Sequence, residues 1–226
     1  MHKNIILTIC LAAITFIAEA QTSDHPSFGF RAGINFQNIN GKDENGDKLS
    51  NKIVPRFHIG VNAELPIATD FYVQPGLLFS TKGAKSTQPI GGQPAVQKLN
   101  LSYLEVPVNL LYKPVLGKGK LILGFGPYIA FGLAGSVKTE GSGQTATTDV
   151  KFKNTVKPSD PAGKAYFKPV DAGANLLFGY ELSNKWSAQL NAQLGLTKIN
   201  PSNEGASNDK SSWKNTGFGV SIGYRL

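Results

Sequence analysis

The sequence predicts an all-β fold: an eight-stranded antiparallel up-and-down transmembrane β-barrel, with short turns at one end and long loops at the other. Three observations carry that reading. Apolar and polar residues alternate with a period of two in eight separate segments. The connections between those segments are short and long in strict alternation. The face holding the large apolar side chains is too bulky to fill the inside of a narrow barrel.

The first twenty residues stand apart from the rest. Lys3 gives a positive start, and Ile5 to Ile17 form an apolar run broken only by Thr8 and Thr15. Ala18-Glu19-Ala20 places small residues where a signal peptidase reads, so cleavage after Ala20 is expected. The run falls short of the ~20 residues a spanning helix needs. Cys10 lies inside it and follows Thr8-Ile9, which do not form a lipobox. The chain therefore divides into a cleaved signal peptide, 1–20, and a barrel domain, 21–226. Cys10 is the sole cysteine, so the exported chain has no disulfide framework and no thiolate metal site. A content of 25 Gly and 13 Pro favours turns and tightly packed strands over helices.

The strands follow in order. Phe28, Phe30, Ala32, Ile34 and Phe36 alternate with Gly29, Arg31, Gly33, Asn35 and Gln37. Phe57, Ile59, Val61, Ala63 and Leu65 alternate with Arg56, His58, Gly60, Asn62 and Glu64. Phe71 to Phe79 form the third run, with Tyr72, Gln74, Gly76, Leu78 and Ser80 on its other face. Leu104 to Tyr112 form the fourth, opposite Glu105, Pro107, Asn109 and Leu111. Leu121 to Leu133 is apolar on both faces, but one face is bulky and the other mostly Gly and Ala. Val170 to Tyr180 alternate with Asp171, Gly173, Asn175, Gly179 and Glu181. Trp186 to Leu196 alternate with Ser187, Gln189, Asn191, Gln193 and Gly195. Thr216 to Leu226 alternate with Gly217, Gly219, Ser221, Gly223 and Arg225. Each run is about ten residues, enough at a tilt near 40° to span a ~25 Å apolar band.

Short connections follow the second, fourth and sixth runs (66–70, 113–120, 182–185). Long polar ones follow the first, third, fifth and seventh, roughly 38–54, 82–98, 136–165 and 198–212. Outer-membrane barrels have short periplasmic turns and long external loops. The aromatics agree. Phe71, Tyr112, Tyr180, Trp186 and Tyr224 gather on the bulky face near the short turns, and Phe36, Phe79, Phe131 and Tyr166 near the long loops, as two headgroup interfaces favour. A soluble eight-stranded barrel of the lipocalin kind reverses the sense, with its large residues inside. Here only the Gly-, Ser- and Asn-rich face is small enough to go inside. The bulky face must point outward.

Tyr103-Leu104-Glu105-Val106-Pro107 resembles the "YLEIP" strand of the PorT-like outer-membrane β-barrel family, small barrels of Bacteroidetes. Gly124-Phe125-Gly126-Pro127-Tyr128 resembles its "GxGPY" strand, Asp171-Ala172-Gly173 its "DxG" start, and Gly223-Tyr224-Arg225-Leu226 its terminal "GYRF", with Leu226 in place of Phe. The resemblance implies an outer-membrane location and a barrel fold.

A lumen polar network is expected from Arg31, Arg56, His58, Glu64, Glu105, Asp171, Glu181 and Arg225, because charges in so narrow a space have to be paired. Pro75, Pro107 and Pro127 cannot donate to a ladder and are expected at bulges. No catalytic, cofactor or metal residue is predicted: His25 and His58 are the only histidines past the signal, with no triad motif and no HExxH spacing. The net charge of +8 in an exported protein points to anionic lipid rather than nucleic acid. Lys82, Lys85, Lys98, Lys138 and Lys164 are the predicted lipopolysaccharide contacts, and 141–148 reads as a flexible polar loop. The barrel-assembly machinery is the partner expected during insertion. The functional expectation is a structural or interaction protein with a plugged lumen. The alternatives are a narrow pore for water or small ions, and a barrel-borne enzyme acting on lipid or peptide.

Overall fold

Each long strand pairs with its neighbours in the chain, and the last pairs with the first. The structure, a computed structural model, describes residues 25–90, 92–141, 143–204 and 209–226; the signal peptide expected at 1–20, with its cleavage point at Ala20, lies outside them. The long strands are β1 (Ser27–Lys42), β2 (Val54–Ala68), β3 (Phe71–Ile90), β4 (Gln93–Tyr112), β5 (Gly119–Gly141), β6 (Val170–Glu181), β7 (Trp186–Gly195) and β8 (Ser212–Arg225). Successive strands are antiparallel, and β8 pairs with β1 from Gly29↔Arg225 to Lys42↔Ser212. Closure satisfies the backbone from strand to strand, as hydrocarbon requires of any spanning sheet. No described helix is long and apolar enough to cross a membrane.

The period-two pattern becomes two faces. Phe28, Leu176 and Ile222 are each about 60% exposed (63%, 63% and 60%), whereas Gln74, Glu105 and Asn109 are 3% or less. Large apolar side chains meet one another across the outer wall, as at Ile34↔Phe57, Val61↔Leu77 and Leu190↔Val220. Near the short turns Phe71 stacks on Tyr112 at 4.8 Å, and Trp186 packs at a tilt against Tyr224 at 5.1 Å. Tyr180 donates its hydroxyl to the Leu116 carbonyl at 2.7 Å. Asp70 and Lys185 take left-handed backbone angles in the β2–β3 and β6–β7 turns.

The sequence reading needs correction above the wall. The expected second long loop does not exist: β3 and β4 continue as one hairpin to Ile90↔Gln93. In the tract expected to be a flexible loop, Gln144–Phe152 folds back as a strand on the end of β5. Tyr166 belongs to the short strand Ala165–Phe167, paired parallel with Val150 to Phe152, and not to an aromatic belt. The connections after β5 and β7 are laced together by backbone bonds such as Lys168 N–H to Ile199 O and Ser202 N–H to Asn154 O. Beneath them Ile39, Leu101, Tyr103, Val150, Phe167 and Ile199 form a buried apolar cluster over the mouth.

The three prolines sit in unbroken register, with Pro75↔Val108, Pro107↔Tyr128 and Pro127↔Ala174. Register shifts occur instead between Pro66 and Ala68 and between Ser102 and Tyr103. The second leaves Leu133 as an extra residue in β5 and reverses which face its later residues present.

Phe152 lies against Gly132, where a Cβ would overlap its ring. Gly132→Leu is therefore expected to dislodge Phe152 and open loop three to added protease while the ring stays folded. Unchanged cleavage of loop three would refute this contact.

Candidate functional site

The inward side chains are too long and too polar to be wall filler, and they meet in two charged clusters. On β4 the inward residues run Glu105, Pro107, Asn109, Leu111, and Lys113 just past its end. Glu105 anchors the cluster nearer the long loops, and Lys113 the one nearer the short turns.

In the first cluster Lys82, wholly buried, sets its Nζ 3.0 Å from Glu105 Oε2 and 3.1 Å from Asp171 Oδ2. Tyr128 Oη and Asn215 Nδ2 also donate to Asp171, at 3.2 and 3.0 Å. Gln193 Nε2 donates to Glu105 Oε1 at 2.9 Å. The ammonium lies 4.2 Å from the centre of the Tyr128 ring, a cation–π contact in a desolvated place. In the second cluster Lys113 Nζ bridges Glu64 at 2.6 Å and Glu181 at 2.7 Å. Gln74 donates to the other oxygen of Glu64, and Arg225 reaches Glu181 at 2.6 Å. Leu111, Ile122, Leu177 and Tyr72 form an apolar cluster that shares this interior.

Beside Glu105 is a cavity of about 40 Å³, room for a few waters, lined by residues that include Arg31, Asn35, His58, Asn175 and Gln193. His58 bonds Asn35 Oδ1 through Nδ1 at 2.9 Å. An amide oxygen can only accept, so this bond calls for a proton on Nδ1. No hydrogen bond joins this imidazole to a serine or a carboxylate among the described residues, and Ser80 stands opposite it across the ladder. No group of His, Cys, Asp or Glu able to hold a metal occurs among the described residues.

Seven of the eight predicted lumen residues are gathered inside: Arg31, His58, Glu64, Glu105, Asp171, Glu181 and Arg225. Arg56 is half-buried and donates to the Leu99 and Pro55 carbonyls instead of joining either cluster. Sequence reasoning missed both central cations. Lys82 was expected to contact lipopolysaccharide, and that assignment is wrong: it continues the inward parity of Gln74, Leu78 and Ser80 in a strand that runs ten residues past Ser80. Lys113 continues Asn109 and Leu111 in the same way. Extending the alternation by two residues finds both.

The other predicted lysines lie outside the lumen. Lys164 is held by Asp149 at 2.7 Å. Lys98 and Lys138 share Glu140 at 2.9 Å each, and their hydrogen bonds hold its carboxyl down at about 2. Lys85 is half-exposed.

A family model described as outer membrane protein beta-barrel domain matches residues 19–200. The chain belongs to that family. This outer-membrane barrel protein is accordingly located in the outer membrane. Similar solved structures include Ail, the attachment invasion locus protein of Yersinia pestis (10% identity, TM-score 0.41). Others are Neisserial surface protein A (8%, 0.43) and a major outer membrane protein from Thermus thermophilus (14%, 0.42). Each comparison covers 90% of this chain and 100% of the other. No curated protein matches the barrel in sequence.

Proposed function

We propose that this outer-membrane barrel is a PorT-like member with a structural or interaction role, in which the wall spans the bilayer, the lumen is plugged, and the outward ends of the strands meet the cell surface. The short turns face the periplasm and the long connections face outward. Lipopolysaccharide is its lasting partner, and the barrel-assembly machinery its partner during insertion. The reading is supported chiefly by what fills the interior: Lys82 with Glu105 and Asp171, and Lys113 with Glu64 and Glu181, all at most 9% exposed at the side chain. The folded cap of loops three and four adds a second closure at one end.

On this reading the barrel has no catalytic role, and His58 is hydrogen-bonded to Asn35 rather than to Ser80, its partner across the β2–β3 ladder. Planar-bilayer recording of the purified protein tests the plug. The expected trace has no steady unitary conductance. Stable channels would replace the plug with the narrow-pore reading.

A further inference from the structure

Lys52, Lys85, Lys98 and Lys138 stand directly opposite one another across successive backbone segments. Lys52 exchanges both backbone hydrogen bonds with Lys85, Lys85 pairs with Lys98, and Lys98 pairs with Lys138. Directly opposed residues share a face. Their neighbours Asn51, Ser86, Gln97, Leu99, Val137 and Thr139 line the inner vestibule, so all four lysines face outward. At ~4.8 Å between strands the row is roughly 14 Å long.

Like charges directly opposed destabilise a sheet. Glu140 answers Lys98 and Lys138, while Lys52 and Lys85 form no ion pair among the described residues. The row thus carries three more positive charges than negative ones. Its height also carries meaning. Lys85 lies six residues beyond Phe79 on β3, and Lys98 the same distance from Leu104 on β4. On a strand tilted near 40° that is a rise of roughly 15 Å above the outward apolar wall, among sugars and phosphates rather than acyl chains.

We infer that this row is a binding site for the phosphates of glycolipid headgroups in the surrounding leaflet, several of which lie side by side along it. The inference rests on the outward placement of the strand ends given above and deepens it by fixing which lysines serve. The phosphates supply the missing countercharge, and the backbone pairings set the four lysines side by side before any lipid arrives. Lys82 has no part in it, and Lys164 is already occupied by Asp149.

The test compares the full-length barrel with K52Q/K85Q/K98Q and with K151Q, an exposed lysine off the row, all refolded in detergent. Binding of lipopolysaccharide is measured by native mass spectrometry beside its dephosphorylated form and inorganic phosphate. The wild type and K151Q are expected to bind lipopolysaccharide at least tenfold more tightly than the triple variant, and tenfold more tightly than they bind the dephosphorylated form. Equal binding by the triple variant, or equal binding of the dephosphorylated lipid, overturns the inference. Saturation by inorganic phosphate at the same affinity would make this a free-anion site and overturn the lipid assignment. Heat-modifiability gels and membrane fractionation of the same variants report separately on the barrel and its location, so a failure there is distinguishable from a failure of the row.

Discussion

Lys82→Met lowers the stability of the folded barrel by about 3–5 kcal/mol, the cost of leaving buried charges without their partner. Methionine matches the stem of lysine but leaves Glu105 and Asp171 with no cation within hydrogen-bond reach. Tyr128 and Asn215 still donate to Asp171, yet neither carries charge. Glu105→Leu and Asp171→Leu act in the same direction, each leaving the buried Lys82 with one carboxylate instead of two. The triple change Lys82→Met, Glu105→Gln, Asp171→Asn recovers most of the loss, since a well-packed neutral cluster can equal an ion pair. The temperature at which the fast-migrating folded band converts on a gel measures each variant. An unchanged midpoint for Lys82→Met would show that these charges do not hold the wall together.

Lys113→Met is expected to cost at least about 3 kcal/mol, again from uncompensated buried carboxylates. Glu181 keeps Arg225 as an ion pair, whereas Glu64 keeps Gln74 as a hydrogen-bond donor and has Arg225 only as a more distant charge. Glu105 and Lys113 are eight residues apart along one strand, roughly 26 Å. At that separation the two losses should add, and the double variant Lys82→Met, Lys113→Met should match their sum to within about 0.5 kcal/mol. A larger departure in the double variant's unfolding midpoint would mean the two clusters act as one.

The eight wall strands were legible because hydrocarbon on one side and a cramped polar interior on the other force a strict alternation. Phe57, Ile59 and Val61 against His58, Gly60 and Asn62 could hardly be read otherwise. The signal fades where polar residues occur on both faces. From Thr81 to Gln97 the hairpin presents polar side chains on both sides, so a continuous ladder looked like a loop. Lys82 was misplaced for that reason. Leu133 shows a second limit: one inserted residue reverses the parity of β5, and period-two reading carries no information past it. The prolines mislead in the opposite sense, since Pro75 and Pro127 keep register without the bulges their missing donors suggested.

The hairpin that rises past the wall has a consequence for how the protein can be joined by others. Below Ser80 every strand is flanked on both sides, but Ser86 to Pro89 of β3 have no ladder partner on the side of β2 among the described residues. That raw margin is where a foreign strand could dock, and it is poorly suited to one. Pro89 has no N–H to offer, and the charges of Lys52 and Lys85 stand beside the approach. Sheet growth is thus discouraged where the ring itself does not forbid it, and neighbours at the cell surface are left to engage the molecule through its side chains.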